Sequence, residues 1–256
     1  MNIEEKLKDL IKGKKVALVG PSDYINKELD ESHGDYINKH DIVIRLNNMI
    51  YMEDKELEEK FYGTKYDIIA SAFWHHNNMG EDVDQWKHKR FLDPTSYENL
   101  KENTILFECF ARNLYVEVYH KFKPIIDKKN ITYGNSSPEF YWKTLNLLKQ
   151  ISPTLTKSPT TGMMMLGMIL LMEPRKLYVT GLSCYLDKKH NAYYDNYFLG
   201  NYIEKKKDYF DGKTFEYNKG KAVHHPYEDE QKILSWLVKN KKIKVDKYLA
   251  SLVKNI

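Results

Sequence analysis

Lys15-Val-Ala-Leu-Val-Gly20 and, far downstream, Lys176-Leu-Tyr-Val-Thr-Gly181 share one shape: a lysine, a short run suited to a buried strand, and a glycine that ends it. Strands without polar alternation are covered on both faces, which is the habit of parallel sheets. Working outward, Asp41-Ile-Val-Ile-Arg-Leu46, Asp67-Ile-Ile-Ala70 and Thr104-Ile-Leu-Phe107 read as further strands of the same kind. Helical spacing lies around them. Residues Met1 to Lys15 put Ile3, Leu7, Leu10 and Ile11 on one side, a helix starts near Pro138, and an apolar helix starts at Thr161. A last helix begins at Pro226 and runs through Ile233, Leu234, Trp236 and Leu237. The alternation predicts an α/β fold: a Rossmann-like, mostly parallel sheet flanked by helices, in a single domain over residues 1–256.

Composition agrees with one large domain. The chain has 256 residues, 42% hydrophobic and 30% charged, enough to bury a core. A net charge of +4 is too small for a dedicated nucleic-acid binder, yet suits an anionic small ligand. The apolar run Met163 to Met172 stops at Glu173-Pro174, short of the ~18 residues a membrane span requires, so it reads as a buried helix. No charged-then-apolar leader precedes the first strand. Cys109 and Cys184 could form one bridge but match neither a disulfide framework nor a zinc pattern, so a reducing, cytoplasmic setting is expected. Residues Tyr185 to Lys221 show little periodicity and read as a long active-site loop or lid.

Several segments have the chemistry of a binding site, and each also has an ordinary structural reading. Gly20-Pro21-Ser22 presents N–H groups and a hydroxyl at the carboxyl edge of the sheet, where α/β folds bind nucleotides; by itself it reads first as a turn between strand and helix. Asn47 and Asn48 close the second strand with amides at the same edge, which is also common turn chemistry. Pro159-Thr160-Thr161-Gly162 combines hydroxyl caps with the unpaired N–H groups of a helix start, a cradle for one phosphate or a plain N-cap. His225-Pro226 opens the last helix with carboxylates in its first turn, and His225 or its neighbour His224 is a base or a capping residue. Asp82-Val-Asp84 has the spacing of metal-dependent sugar-nucleotide transferases but follows a polar loop, and His75, His76 and His88 lack zinc-type spacing. Lys239, Lys241, Lys242, Lys244 and Lys247 make residues 238–256 a basic segment, either a solvated face or a peripheral contact with anionic lipid.

In their order these segments resemble the four sialylmotifs of glycosyltransferase family 29, the sialyltransferases with bacterial and viral relatives. Val16 to Ser22 through His40 to Asn47 resembles the large motif, and Gly63 to Asp67 the segment after it. Ser137 to Phe140, then Pro159 to Met163 through Val179 to Gly181, resembles the small motif. Ala192-Tyr193-Tyr194-Asp195 is similar to the third motif, and His225 to Glu230 to the H-x4-E motif, so the likeness spans residues 14–237. The chain departs from the pattern at Pro21, where the family usually has Asn, and at Ala192, where it often has His; His190 stands two positions earlier. The cysteines that bridge the large and small motifs of Golgi members are missing, which points to a bacterial-type enzyme.

The resemblance implies a single-domain, GT-A-like variant of the Rossmann sheet and a soluble, inverting transferase that needs no metal and no cofactor. Its donor is a CMP-linked sugar and its acceptor a glycan hydroxyl. By the same resemblance His225 is the general base, with Glu230, His190, Tyr193 and Tyr194 supporting catalysis, while Gly20, Pro21, Ser22, Asn47, Asn48, Thr160, Thr161 and Gly162 bind the donor. Arg112 or a lysine holds the sugar carboxylate. Sialic acid is the first expectation for the sugar and Kdo the alternative, the latter in surface polysaccharide or lipid-linked glycan synthesis. A catalytically silent nucleotide-binding protein is the third reading, and the inner face of the membrane the expected place of any lipid contact.

Overall fold

A computed structural model describes residues 2–72, 94–110, 116–184, 186–187, 189–190 and 226–254. In chain order the elements are α1 (Ile3–Ile11), β1 (Lys15–Val19), α2 (Tyr24–Glu28), α3 (His33–Asn38) and β2 (Ile42–Leu46). A 3-10 turn (Asn47–Ile50) follows, then α4 (Lys55–Leu57) running into a π-helical turn (Glu58–Tyr62), and β3 (Ile68–Ser71). Next come α5 (Pro94–Glu98), β4 (Ile105–Glu108), α6 (Val116–Lys128), β5 (Thr132–Asn135) and α7 (Pro138–Ile151). The chain continues through α8 (Thr161–Leu171), β6 (Lys176–Thr180), α9 (Tyr227–Lys239), β7 (Lys244–Val245) and α10 (Lys247–Val253).

The strands form one seven-stranded sheet, ordered β5-β4-β3-β2-β1-β6-β7, and every pairing is parallel. The mostly apolar sequence of the central strands is the reason: β2 and β3 are buried along their whole length, Arg45 and Ser71 included. Alternate side chains of β3 and β4 feed two cores. Ile68, Ala70, Ile105 and Phe107 join the larger one with Met163 to Met168 of α8 and Leu145 and Leu148 of α7. Ile69 and Leu106 point the other way, onto Tyr97 of α5 and Phe122 and Ile126 of α6. Helices therefore cover both faces.

Two strands go beyond the sequence reading. β5 is half-exposed and contains Gly134, and β7 has only two residues, so neither carries a hydrophobic signature. The basic segment 238–256 is not a tail appended to the sheet. It supplies β7 and α10, with Ile243, Leu249 and Val253 buried.

Arg45 lies wholly within the protein. Its guanidinium pairs with Glu58 at 2.6 Å, bonds the Gly63 carbonyl and stacks 4.8 Å from the centre of the Tyr66 ring. It fastens β2 to the π-helical turn.

Candidate functional site

Successive strands from β1 to β5 step outward in one direction, whereas β6 returns to the other side of β1. That reversal is a topological switch point, and a crevice opens outside the carboxyl ends of the two strands that flank it. Here those ends are Gly20 and Gly181. The Gly20 N–H donates to the Thr180 carbonyl at 2.8 Å, and the Ser22 N–H donates to the Gly181 carbonyl at 3.3 Å. A β-carbon on Gly20 would stand 2.1 Å from the Gly181 oxygen, so both glycines are required by backbone contact. Gly181 also has a φ of +69°, in the left-handed region that glycine adopts freely.

A buried polar network holds this junction from below. The Tyr24 hydroxyl accepts from the Gly181 N–H at 2.6 Å and donates to Asp246 at 2.8 Å. Asp246 also accepts from the Thr180 hydroxyl and, as the N-cap of α10, from the Leu249 N–H. Burial, ahead of the Asp246 charge, drives the Tyr24 hydroxyl well above its ordinary pKa, so it remains a donor.

In a parallel α/β sheet, a helix that leads into a strand begins at the carboxyl edge of the sheet. α8 and α9 both do so. Thr160 caps α8, accepting from the Met163 N–H at 3.3 Å. Gly162 packs against the side chains of Leu182, just past β6, and Leu46, at the end of β2. The cradle of Thr160, Thr161 and Gly162 is thus placed over the crevice, and the N–H groups of Thr161 and Gly162 have no intrahelical carbonyl to bond.

Glu230 in the first turn of α9 meets this cradle. Its carboxylate accepts from the Thr160 N–H at 2.5 Å and from the Thr160 hydroxyl at 3.1 Å. Desolvation pushes its pKa up to about 7, with the bonds from Thr160 pulling the other way and the Asp229 charge adding to the rise. Next to it, Gln231 donates to the Cys184 carbonyl at 3.0 Å. The two helix beginnings, far apart in sequence, are therefore joined at one point.

Asn47 completes the edge. It has a φ of +55°, a conformation Asn tolerates better than most residues, and its side-chain oxygen accepts from the Ser71 hydroxyl at 3.2 Å. The side-chain NH2 is left to donate. Asn48 follows in the 3-10 turn. Pro21 and Ser22 are buried beside the glycine pair, and the Ser22 carbonyl accepts from the Tyr62 hydroxyl at 3.1 Å.

His190 is engaged elsewhere. Its Nε2 lies 2.6 Å from Glu28 at the end of α2, its N–H donates to Asp187, and its ring faces Tyr248 of α10 at 5.7 Å. His224, His225, Tyr193, Tyr194 and Ala192 lie outside the described residues, as do Arg112, the Asp82–Asp84 pair and His75, His76 and His88. α9 starts one residue later than the sequence suggests. Pro226 has a ψ of 65°, outside the helical range, which makes it the N-cap and moves His225 one place further out. Among the described residues no three His, Cys, Asp or Glu side chains are grouped to hold a metal ion. Cys109 and Cys184 are both buried and unbridged.

Sequence reasoning missed the Tyr24–Asp246 network and the Ser71 bond to Asn47. Asp246 carried one usable signal, an N-cap aspartate ahead of the apolar spacing of α10.

No protein-family model matches the chain, and no curated protein matches it. Among solved structures it is similar to the sialyltransferase CstII from Campylobacter jejuni in complex with the substrate analogue CMP-3FNeuAc. That similarity has a TM-score of 0.45 at 18% identity, over 91% of this chain and 79% of that one. A CstII structure with cytidine-5'-monophosphate gives 0.40 at 13% identity, over 91% and 78%. A variant of Cst-II in complex with CMP gives 0.45 at 16% identity, over 90% and 80%.

Proposed function

We propose that this protein is a CMP-sugar-dependent glycosyltransferase that moves sialic acid onto a glycan hydroxyl. The observation that supports the reading most is the bond between Glu230 and Thr160, which brings the start of α9 onto the start of α8 at the sheet's switch point. A CMP-sugar carries one phosphate, and neutral N–H donors suit a single phosphate better than a pyrophosphate. The N–H groups of Thr161 and Gly162 and the amide of Asn47 are donors of that kind.

In this mechanism His225 takes the proton from the acceptor hydroxyl. The oxygen attacks the anomeric carbon from the side opposite CMP, the bond from that carbon to the phosphate oxygen breaks, and CMP leaves with the electron pair. The anomeric centre inverts. Glu230 positions the Thr160 cap and does not react. His190, held by Glu28, is a positioning residue between α2 and α10. Charge on a single leaving phosphate is met by N–H donors, so the reaction needs no divalent ion.

The test is release of CMP from CMP-sialic acid and from CMP-Kdo, each with EDTA present. Release from the first supports the reading, with His225→Ala slowing it by about 10²–10⁴-fold. Release from CMP-Kdo alone replaces the sugar but keeps the reaction class. CMP binding without release from either donor makes the protein a silent nucleotide-binding module.

A further inference from the structure

The amino ends of β1, β6 and β7 lie on the sheet edge opposite the Gly20–Gly181 crevice, and a cavity of about 670 Å³ opens there. Its lining contains six lysines and one arginine and no carboxylate. Helix ends account for part of this. Lys39 follows α3, and Lys241 and Lys242 follow α9, where the partial negative charge of a helix C-terminus favours cations.

Lys15 and Lys176 have no such explanation. They open β1 and β6 as direct register partners, so two like charges stand side by side on neighbouring strands. That arrangement is unfavourable unless an anion lies between them. The carboxylate closest to hand is engaged: Asp41 takes the Lys15 backbone N–H and lies 3.8 Å from Arg175. Among the described residues, no carboxylate pairs with the side chains of Lys15, Lys39, Lys176, Lys241 or Lys242.

One wall of the cavity is aromatic. His40 stacks on Tyr178 with centroids 5.4 Å apart, and Tyr36 meets Tyr178 edge-on at 4.9 Å. Lys244 is held over the Tyr36 ring and bonds its hydroxyl at 3.1 Å. A concave site of this volume is in the range of small-ligand pockets.

We propose that this amino-edge cleft is a second anion site, which binds a ligand carrying a phosphate group with at least two negative charges close together. Its donors are the paired Lys15 and Lys176 with Lys242 and Arg175, and the aromatic wall takes the ring or stem that bears the phosphate. The chemistry is common to a free phosphorylated compound and to an anionic lipid headgroup. The site shares no residue with the carboxyl-edge crevice and stands whether or not the protein transfers a sugar.

The test uses the full chain, and substitutions confined to this cleft separate its binding from any at the opposite edge. Calorimetric titration with inorganic pyrophosphate is run beside co-sedimentation with phosphatidylcholine vesicles, with and without phosphatidic acid, whose phosphomonoester can carry two charges. Pyrophosphate binding that weakens about tenfold or more in Lys176→Gln/Lys242→Gln, and is retained in Lys176→Arg/Lys242→Arg, establishes the site with a soluble source. Binding only to vesicles containing phosphatidic acid, lost in the same glutamine variant, establishes it with a lipid source. If neither probe binds, or if the glutamine variant binds as tightly as the parent while melting at the same temperature, the proposal is wrong. Release of CMP from CMP-sialic acid by the same variants reads the other edge independently and stays at the parent level.

Discussion

The carboxyl of Glu230 is fully buried and, among the described residues, has no cation beside it, so only the Thr160 N–H and hydroxyl stabilise its charge. Its folded pKa of about 7 stands above an ordinary value of 4.5. Between those values the folded protein keeps a proton that the unfolded chain has released. The group's contribution to stability is therefore complete at acid pH and is lost as pH rises through about 7. A shift of this size corresponds to about 3 kcal/mol. Glu230→Gln keeps the bond from the Thr160 N–H, reverses the other so that the amide NH2 donates to the Thr160 hydroxyl oxygen, and removes the titration, so the stability difference between variant and parent should move by up to that amount, in favour of the variant, as pH rises from about 4.5 to about 7.5. Urea denaturation across that range checks it, and a pH-independent difference refutes it. The glycines offer a second contrast. Gly20→Ala drives a methyl into the Gly181 backbone and should cost about 3 kcal/mol, seen as a lower urea midpoint. Gly162→Ala meets the methyl ends of two flexible side chains, Leu182 at 2.4 Å and Leu46 at 3.2 Å, rather than backbone, and should cost about 1 kcal/mol.

Between elements, glutamates do the joining. Glu230 of α9 takes the N–H and hydroxyl of Thr160, the cap of α8; Glu4 of α1 takes the N–H and hydroxyl of Ser137, the cap of α7. Each cap residue satisfies its own helix and a second one at once. The Tyr24 hydroxyl does similar work for α2, β6 and α10. Tyr24→Phe leaves the Gly181 N–H without its acceptor and removes a donor from Asp246, which should cost about 2–3 kcal/mol and reduce CMP affinity through the displaced Gly181 turn. Equilibrium unfolding and CMP titration of this variant together check the coupling. A stability loss with unchanged CMP affinity would separate the network from the crevice. Arg45, by contrast, belongs to the scaffold. Arg45→Met leaves the buried Glu58 with only the exposed Lys55, 2.8 Å from its other oxygen, and should cost about 3 kcal/mol, most of it recovered in Arg45→Met/Glu58→Leu, with CMP affinity unchanged in both.

At the scale of the molecule, what the sequence made legible follows from where the apolar residues lie. β1, β2, β3, β4 and β6 are buried on both faces, and hydrophobic runs announce such strands directly. The glycine ends of β1 and β6 and the Thr160 cap were readable for the same reason, because each is a local signal. Asp246 and Tyr24 were not, since their meeting depends on the sheet order, which local signals do not determine. β7 is the plainest case: two residues give no period, and the surrounding lysines suggested a solvated basic segment. Its structural role makes the last prediction. α10 buries Leu249 and Val253, its N-cap Asp246 bonds Tyr24 and Thr180, and β7 covers the edge of β6. A chain ended after Lys239 would uncover that edge and leave the Tyr24 and Thr180 hydroxyls without their shared acceptor beneath the Gly20–Gly181 junction. Such a truncation should lower the urea midpoint and abolish CMP binding, whereas replacing the exposed Lys239, Lys241 and Lys242 by glutamine should leave both unchanged. If the shortened chain binds CMP as the parent does, the crevice does not depend on the seventh strand.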